Sequence, residues 1–307
     1  MSDIQAVKYI WKNGELVNWE DATTHVLTHS LHYGDAIFEG LRAYKTADGK
    51  TAIFRLKEHF ERFKKSAHML EIDLPYTVEE LCEATKELID KNGLKSAYIR
   101  PILYRGYGVM GIDARTCKSD VVIAAWSWDA YLGDGALEKG IDTMVSSFRQ
   151  RAVNAMPPAI KSSGNYLNSG LAKMEAVRNG YGEAIMLNED GKVTEGTGEN
   201  IFIVRDGALI TPPTSDGLLE GITRDSIITI AREMGIEVRI ESLLRTDLYI
   251  AEEAFFSGSA AELTPIASVD GRALPKEKPL TKRLQKEFFK LVQGELESHK
   301  DWLSYLN

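Results

Sequence analysis

Two cysteines in 307 residues are too few for a disulfide framework, and Cys82 and Cys117 match no metal-binding spacing. This usage predicts a reducing, cytoplasmic environment. No apolar run approaches the roughly 18–20 residues that a membrane helix requires. The longest run, Val121 to Trp126, has the length of a strand. Because the N-terminus lacks a basic stretch followed by an apolar one, we expect neither a secretory signal nor a membrane partner.

Positive charge is also scarce, since 37 Lys and Arg stand against 45 Asp and Glu and the formal net charge is −8. A chain this acidic repels phosphate backbones unless it carries a concentrated basic patch. Lys64, Lys65 and the C-terminal lysines instead alternate with glutamates, as on a solvated helix face. Nucleic acid is therefore not an expected partner. No period of about 20–50 residues repeats, which argues against solenoids and propellers.

The first part of the chain alternates between strand and helix patterns. Asn13-Gly14 and Asp48-Gly49 mark two hairpin turns. Residues 56–70 then carry apolar side chains at helical spacing, and a second helix begins at Thr77 with Glu80 placed for a capping box. Strands are predicted at Ala97–Tyr104 and Val121–Trp128. We interpret residues 1–128 as an N-terminal α/β domain.

A glycine-rich stretch, residues 129–140, is typical of an inter-domain linker. Residues 141–307 then form the predicted C-terminal domain, in which Asp190-Gly191 and Asp206-Gly207 mark further hairpins. The predicted segments of this domain are a strand at Asp142–Phe148, helices at Tyr166–Arg178, Ile222–Met234 and Leu280 to about His299, a short helix after Thr246 and a β-rich piece at Glu253–Val269. At this length, two domains of the α+β class are expected.

Two patterns imitate functional sites. Gly106-Tyr-Gly-Val-Met-Gly111 matches the dinucleotide fingerprint, but another strand follows it instead of the helix whose N-terminus would bind the pyrophosphate. We therefore expect a loop between strands. His25, His29 and His32 could face one metal ion on a helix, yet acidic neighbours are few. We interpret them as hydrogen-bonding residues and predict no metal site.

Lys161 is the strongest candidate for chemistry, because its neighbours are small or apolar. Shielding a lysine from water favours its neutral amine, which is a nucleophile and a base. The alternative from sequence alone is a surface lysine in a loop. Tyr166, five residues later at the start of a helix, could contact the same ligand or serve in packing.

Four further patterns suggest binding. Glu195 lies among glycines before a strand, where a single carboxylate can face a cleft or simply be exposed. Gly221 to Arg224 opens a helix whose free N–H groups attract anions. A second run of small residues, Gly258 to Ala261, offers further N–H groups and one hydroxyl. Tyr98 and Arg100 alternate on a strand, so both face one side and suit a carboxylate or a structural salt bridge.

Together these residues resemble the fold-type IV pyridoxal-phosphate transaminases, and within them the branched-chain amino-acid aminotransferases. The resemblance spans nearly the whole chain. It is carried by seven segments in order: His32–Arg42, Phe54 to Arg62, Tyr98–Pro101, Lys161–Tyr166, Thr194–Asn200, Leu219–Arg224 and Ser257–Pro265. It implies a smaller N-terminal α/β domain and a larger C-terminal β-rich domain with flanking helices. It also implies amino-group transfer between L-leucine, L-isoleucine or L-valine and 2-oxoglutarate.

The resemblance also implies how pyridoxal 5′-phosphate is held. Lys161 would form the Schiff base and move the proton between Cα and C4′, as the catalytic residue. Glu195 would pair with the pyridine nitrogen, Tyr166 would bond the 3′ oxygen, and Leu219 would pack against the ring. The residues implied at the phosphate are Arg62, Gly221, Ile222, Thr223 and Ser259.

Substrate contacts follow from the same resemblance. The α-carboxylate would lie near Tyr98 and the N–H groups of Ser259 and Ala260, while Arg100 would meet the distal carboxylate of glutamate or 2-oxoglutarate. The aliphatic pocket would comprise Phe38, Gly40, Trp128 and Tyr131, with Tyr33 and Ile112 reaching over from a partner subunit. The family therefore implies at least a homodimer and allows a hexamer.

Three departures from the family pattern concern Ser259 in place of threonine, Glu220 in place of proline, and the 106–115 loop. Substrate breadth is the inference that these departures affect most. D-amino-acid transaminases and aminodeoxychorismate lyases share the lysine, the glutamate and the Gly-Ile-Thr turn, but generally lack the Phe38–Arg42 and Tyr98–Pro101 patterns. A nicotinamide-dependent oxidoreductase using the 106–111 glycines is the alternative from a different class, as is a binding protein without catalysis.

Overall fold

A computed structural model describes residues 4–128 and 135–306. Its strands are, in chain order, β1 (Tyr9–Lys12), β2 (Glu15–Asn18), β3 (Ile37–Phe38), β4 (Leu41–Lys45), β5 (Thr51–Phe54), β6 (Ala97–Arg105), β7 (Ser119–Trp126), β8 (Ile141–Val145), β9 (Glu183–Leu187), β10 (Val193–Gly196), β11 (Asn200–Arg205), β12 (Ala208–Thr211), β13 (Val238–Ile240), β14 (Glu253–Gly258), β15 (Glu262–Val269), β16 (Arg272–Ala273) and β17 (Leu303–Tyr305). Its helices are α1 (His29–Tyr33), α2 (Leu56–Met69), α3 (Val78–Lys91), α4 (Ala136–Lys139), α5 (Tyr166–Arg178), α6 (Ile222–Glu233), α7 (Arg245–Tyr249) and α8 (Pro279–Val292).

The chain divides into two compact units. The first unit comprises residues 4–128, 160–164 and 290–306, and the second comprises 135–159 and 165–289. The sequence analysis assigned 160–164 and 290–306 to the C-terminal domain, whereas in the structure both segments pack with the first unit. Lys161 therefore lies in the first unit, and Tyr166, five residues later, lies in the second.

The first unit is an antiparallel sheet with two helices on it. The strand order is β17-β5-β4-β6-β7-β1-β2, and β3 pairs with β6. The core includes Phe60 and Phe63 of α2 and Leu81 and Leu88 of α3, all almost fully buried. The regularly spaced apolar residues that predicted α2 therefore form its buried face, which packs in the core with the sheet, as expected for an amphipathic helix.

The second unit contains a mixed nine-stranded sheet. The strand order is β10-β9-β8-β15-β14-β11-β12-β13, and β16 pairs with β15. Strand β8 runs parallel to both β9 and β15, while β11 and β14 are antiparallel. Ala172 and Ala176 of α5 pack against Ala184 and Met186 of β9. This sheet brings β10, β11 and β14, which carry the glycine-rich motifs, into one neighbourhood.

Local signals predicted most boundaries correctly. The turn at Asn13-Gly14 is confirmed, with both residues at positive φ (50° and 97°). The capping box is confirmed, since the Thr77 hydroxyl accepts from the Glu80 N–H and the Glu80 carboxylate accepts from the Thr77 N–H. The loop at 106–118 contains no helix, as expected, so the glycine fingerprint has no helix N-terminus to offer a pyrophosphate.

The predicted extent of the last helix was wrong. Helix α8 ends at Val292 and not near His299. Gly294 adopts a left-handed φ of 73°, and its N–H donates to Leu291 O while Glu295 N–H donates to Lys290 O. These bonds close the helix in the way glycine typically does. The freed chain then adds β17 to the edge of the first sheet beside β5.

Within the described ranges, no helix is both long and apolar enough to cross a bilayer.

Candidate active site

Lys161 lies beside β3 in the first unit. An isolated bridge joins Ser162 to Ile37, and the Phe38 N–H donates to Lys161 O at 3.0 Å. The side chain is half-buried, and its Nζ lies 5.1 Å from the centre of the Phe38 ring. The structure therefore favours a lysine shielded by the sheet edge over the exposed loop lysine that the sequence left open.

Aromatic side chains surround one cation in the same unit. The Arg100 guanidinium lies 4.6 Å from the centre of the Phe38 ring, and its Nη2 donates to the Tyr98 hydroxyl at 2.9 Å. Tyr98 packs against Trp128, with ring centres 4.6 Å apart. A Cβ at Gly40 would come within 2.1 Å of the Tyr98 hydroxyl. The structure thus brings together five residues that the sequence analysis assigned to the substrate: Phe38, Gly40, Tyr98, Arg100 and Trp128.

Arg62, predicted at the phosphate, projects from α2 in the first unit. Its guanidinium forks onto Glu39, with Nε donating to Oε1 at 2.7 Å and Nη2 to Oε2 at 2.8 Å. His59, one turn earlier on α2, contacts the same carboxylate. Neither Glu39 nor His59 was singled out from the sequence, although Glu39 lies inside a quoted motif and the helical spacing of His59 and Arg62 was visible.

Tyr33 and Ile112 are exposed, with 44% and 93% of their surface accessible. The Tyr33 hydroxyl accepts from the Gly111 N–H at 3.1 Å, so helix α1 and the 106–118 loop touch. Their predicted role in a partner subunit stays a prediction. Tyr131 lies outside the described residues, as do residues 129–134 of the predicted linker.

The three clustered histidines bind backbone groups. Among the described residues, no group of three or more His, Cys, Asp or Glu is placed to hold a metal ion. The contacts are His25 Nδ1 with Leu27 N, His29 Nε2 with Gly111 O and His32 Nε2 with Val26 O, at 3.1, 2.7 and 2.8 Å.

In the second unit, the Glu195 carboxylate is buried and receives neutral donors. Oε1 accepts from Gln150 Nε2 at 2.8 Å. Oε2 accepts from the Leu219 N–H at 3.1 Å and from Asn200 Nδ2 at 3.3 Å. The sequence left an exposed loop glutamate open, but only 9% of the residue is accessible. Hydrogen bonds of this kind favour the ionised form of a buried carboxylate, which suits a cationic partner.

Gln150 has a fixed orientation that the sequence did not signal. Its Oε1 accepts from Arg151 Nη1 at 3.0 Å, so its Nε2 is the group left to face Glu195. Arg151 also lies within electrostatic range of Glu195 and of Tyr166. Burial nevertheless lowers the pKa of Arg151, because desolvation outweighs both of those contacts. The segment that follows β8 thus orders the Glu195 side chain.

The start of α6 has the features of an anion site. Within the described chain, no side chain caps this end, and Ile222 and Thr223 are nearly buried. Gly221 packs so closely on Asn200 that a Cβ would lie 1.9 Å from Asn200 Oδ1. Glu220 is exposed, so the charge that departs from the family pattern is in contact with solvent.

Two strands meet beside this helix end. Asn200 of β11 pairs with Ser257 of β14, and the Ser257 hydroxyl is buried with no hydrogen-bond partner among the described residues. A Cβ placed on Gly258 would lie 3.7 Å from Gly198 O. Ser259 and Ala260 follow in the turn after β14. The small residues predicted as N–H donors therefore lie next to the glycine-rich turn.

Tyr166 is the first residue of α5. Its Cε1 atom lies 4.0 Å from where a Cβ on Gly198 would be. Within the second unit, Tyr166 therefore approaches the turn that links Glu195 to Asn200.

Glu199 and Glu183 form a buried acidic pair behind Glu195. Glu183 is fully buried and accepts from Lys173 Nζ and from the Thr197 hydroxyl, each at 2.7 Å. Burial raises the pKa of Glu199 to about 8, and the Glu183 charge adds to the rise while Lys173 opposes it. Glu199 is therefore protonated at neutral pH, and Lys173 pairs with Glu183.

This raised pKa predicts how stability depends on pH. The folded protein holds the Glu199 proton more tightly than the unfolded chain, so this contribution is complete at acidic pH and is lost as pH rises towards 8. Relative to the parent, Glu199→Gln is expected to gain thermal stability as the pH is raised from 5 to 8. The difference between the two unfolding midpoints should change by a few degrees, because roughly 1 kcal/mol shifts a midpoint by about 2–4 °C at this size. Thermal unfolding at both pH values tests it, with exposed Glu189→Gln as control. Parallel pH profiles of Glu199→Gln and parent would contradict the assignment.

Comparison with known proteins agrees with this arrangement. Residues 36–269 match the model of the family described as amino-transferase class IV. A branched-chain-amino-acid aminotransferase of Pseudomonas aeruginosa is 50% identical over 295 residues, which cover 95% of each chain. The crystal structure of Escherichia coli branched-chain amino acid aminotransferase is 48% identical and superposes with a TM-score of 0.96, covering 98% of this chain and 100% of that one.

A third comparison includes the bound coenzyme. The branched-chain amino acid aminotransferase of Thermobaculum terrenum, solved in its PLP-containing holo-form, is 36% identical with a TM-score of 0.92, covering 98% of this chain and 99% of that one. The predicted fold class, α+β with the fold-type IV arrangement of two sheets, is confirmed. The match to the family model and the identity along nearly the full length lead to one conclusion: this chain belongs to the class IV aminotransferase family.

Proposed function

We propose that this enzyme transfers the amino group between L-leucine, L-isoleucine or L-valine and 2-oxoglutarate. Class IV aminotransferases use pyridoxal 5′-phosphate, and the relatives that match almost the whole chain carry the branched-chain name. Its small-molecule partners are thus amino acids and 2-oxo acids. The observation that carries the choice of substrate is the Arg100 guanidinium, which is held over Phe38 and bonded to Tyr98.

The described residues fit the phosphate end of this coenzyme. The phosphate is an anion, and the uncapped start of α6 offers the N–H groups of Ile222 and Thr223. Arg62 supplies a guanidinium, and Ser259 supplies a hydroxyl. The close packing of Gly221 on Asn200 leaves no room for a side chain where the backbone would approach the ligand.

The ring end of the coenzyme calls for one carboxylate and one phenol. When bound, pyridoxal phosphate supplies the electron sink for the substrate Cα–H bond that breaks. Glu195 would face the pyridine nitrogen and favour its protonated form, and the hydrogen bonds that Glu195 accepts from Gln150 and from the Leu219 N–H orient its carboxylate for this role. Tyr166 would donate to the ring oxygen, and Leu219 would pack on the ring face.

Lys161 is the catalytic residue of the proposal. Its amine would hold the coenzyme and, once displaced by substrate, its Nζ would take the proton from the substrate Cα and deliver it to C4′ of the coenzyme. The Phe38 ring beside Nζ limits access of water. Both tasks need a lysine that is shielded yet still reachable, and a half-buried side chain meets both needs.

The proposed substrate residues combine aromatic surface with the Arg100 guanidinium. In this proposal Phe38, Gly40 and Trp128 surround an aliphatic side chain, while Tyr98 and the N–H groups of Ser259 and Ala260 bind the α-carboxylate. Arg100 binds the distal carboxylate of glutamate, since a guanidinium is suited to that group. One set of walls therefore accepts both leucine-like and glutamate-like substrates.

We also propose a homodimer at least. Exposed apolar side chains gather where α1 meets the 106–118 loop, and they include Leu31, Tyr33, Met110 and Ile112. A second copy that covered this surface would place Tyr33 and Ile112 at its neighbour's substrate. A cytoplasmic location is supported by the two free thiols, Cys82 and Cys117.

The choice of donor tests the proposal. With 2-oxoglutarate as acceptor, L-leucine is expected to react at least about 10²-fold faster than D-alanine, because an apolar pocket gains roughly 0.8 kcal/mol for each additional buried CH₂ and the enantiomer misplaces its Cα–H bond. Glutamate formation at equal donor concentrations measures it. Faster transfer from D-alanine would indicate a D-amino-acid transaminase, and pyruvate release from aminodeoxychorismate would indicate the lyase.

A further inference from the structure

Glu39 is a fully buried carboxylate in the first unit. None of its surface is accessible, yet it accepts two hydrogen bonds from Arg62, at 2.7 and 2.8 Å, and one from His59 at 2.7 Å. A further contact comes from the Gly40 N–H at 3.3 Å. A carboxylate this deep is tolerated only when it is paired and hydrogen-bonded.

The charge states in this cluster follow from its contacts. Burial alone would raise the pKa of Glu39, but the Arg62 charge and the hydrogen bonds from Arg62 and His59 outweigh it and hold the pKa well below its usual range. Burial lowers the pKa of His59, and the nearby charges of Arg62 and Lys161 lower it further against the pull of Glu39. The cluster is therefore an ionised carboxylate, a guanidinium and a neutral imidazole.

The neutral imidazole has a defined tautomer. An ionised carboxylate only accepts hydrogen bonds, so His59 Nδ1 carries the proton and donates it to Glu39 Oε2. This donor fixes the carboxylate from one side while Arg62 binds it from the other. His59 and Arg62 together therefore fix the plane of the Glu39 carboxylate, and the carboxylate in turn fixes the plane of the Arg62 guanidinium.

Arg62 lies on the more accessible side of this ion pair. The Arg62 side chain is 14% accessible and the Glu39 side chain is not accessible at all. Two guanidinium nitrogens bind Glu39 in parallel, which leaves the cation no rotation about its terminal bonds. An arginine on a helix would otherwise sample many rotamers, and binding an anion would cost that freedom.

We propose that Glu39, held by His59, is a positioning residue that presets the Arg62 guanidinium for the phosphate of the coenzyme. This inference rests on the proposed function, in which Arg62 binds that phosphate. A merely structural ion pair would stabilise the first unit without regard to the ligand. A positioning residue instead changes the affinity for one group of the ligand, the phosphate.

Two probes separate these roles. Pyridoxal 5′-phosphate and pyridoxal present the same aldehyde to Lys161 and differ in the phosphate alone. Glu39→Gln is expected to weaken binding of pyridoxal 5′-phosphate by roughly 10–100-fold, a loss typical of removing a supporting hydrogen-bond partner. Binding of pyridoxal is expected to stay within about twofold of the parent. Titration of the apoprotein, followed by visible absorption, measures both.

The substitution changes hydrogen bonding with little change in size. Glutamine has nearly the same shape as glutamate, but its NH₂ group faces a donor, Arg62 Nη2, so the fork cannot form. Glu58→Gln is the matched control. It breaks the 2.7 Å pair between Glu58 of α2 and Arg55, the residue before this helix, and the Glu58 carboxylate is partly exposed. We expect the control to leave both affinities unchanged.

A double-mutant cycle tests whether Glu39 acts through Arg62. Arg62→Lys keeps the charge but loses the fork, and it is expected to weaken pyridoxal 5′-phosphate binding as well. Adding Glu39→Gln to Arg62→Lys is expected to weaken the affinity for pyridoxal 5′-phosphate by less than a further ~3-fold, because lysine has no fork for Glu39 to position. Where Glu39→Gln does not fold, His59→Leu replaces it, with a smaller loss in the same direction and His59→Asn as the variant that keeps the donor.

The outcomes are distinct. Equal weakening of both probes, or additive losses in the cycle, would assign Glu39 a structural role and overturn the inference. An Arg62→Lys variant with unchanged pyridoxal 5′-phosphate affinity would overturn it together with the assignment of Arg62. Failure of the parent protein to bind pyridoxal 5′-phosphate would instead refute the proposed function itself.

Discussion

Replacing Lys161 by alanine is expected to reduce transamination by at least ~10³-fold, since a positioned proton-transfer group alone contributes about 10²–10⁴-fold. Alanine removes both the covalent anchor and the base at Cα. The fold should survive, because the hydrogen bond from the Phe38 N–H to residue 161 uses the backbone carbonyl. The measurement is the initial rate of glutamate formation from L-leucine and 2-oxoglutarate.

The control for this variant is Lys65→Ala, an exposed lysine of α2 in the same unit. We expect it to retain the parent rate. Borohydride reduction of the coenzyme-loaded parent, followed by peptide mapping, should place the label on Lys161. A label on another lysine, or an active Lys161→Ala enzyme, would refute the assignment of the catalytic residue.

Replacing Glu195 by glutamine is expected to lower kcat by about 10²-fold, because the charge that keeps the pyridine nitrogen protonated is lost. The amide also meets donors on both sides, from Gln150 and from the Leu219 N–H, and cannot satisfy both. Glu195→Asp keeps the charge and should retain more activity. Steady-state kinetics with L-leucine, at saturating coenzyme, gives kcat and KM separately.

Glu189→Gln is the control for charge at this edge of the second unit, since Glu189 is exposed between β9 and β10. We expect its kcat to equal that of the parent. A Glu195→Gln enzyme with kcat within about threefold of the parent would show that Glu195 does not act on the ring nitrogen.

Much of the fold could be predicted because its signals are local. The turn at Asn13-Gly14, the capping box of Thr77 and Glu80, and helix α5 at 166–178 each depend on residues within one turn or one period. The end of α8 was missed although Gly294 signals it, because the amphipathic pattern continues past the glycine. Strand β17 carries no clear pattern of its own, and only pairing with β5 makes it a strand.

The candidate site divides in the same way. Lys161, Glu195 and the start of α6 have sequence signatures, because their chemistry requires particular residue types among glycines and small residues. Gln150 and His59 have none. Each matters through a contact with a partner, Glu195 or Glu39, that lies 45 or 20 residues away in sequence. Such pairs exist only after the sheets have formed.

From the sequence by itself, the hairpins and most helices follow from residue type and spacing, whereas the class of chemistry and the residues that could hold a coenzyme follow from the resemblance of seven ordered segments to the fold-type IV transaminases. The tertiary structure alone decided that residues 160–164 and 290–306 join the first unit, that Glu195 is buried among neutral donors, and that Arg62 is fixed on Glu39. Contacts across long stretches of chain are settled by packing and burial, which no local pattern encodes.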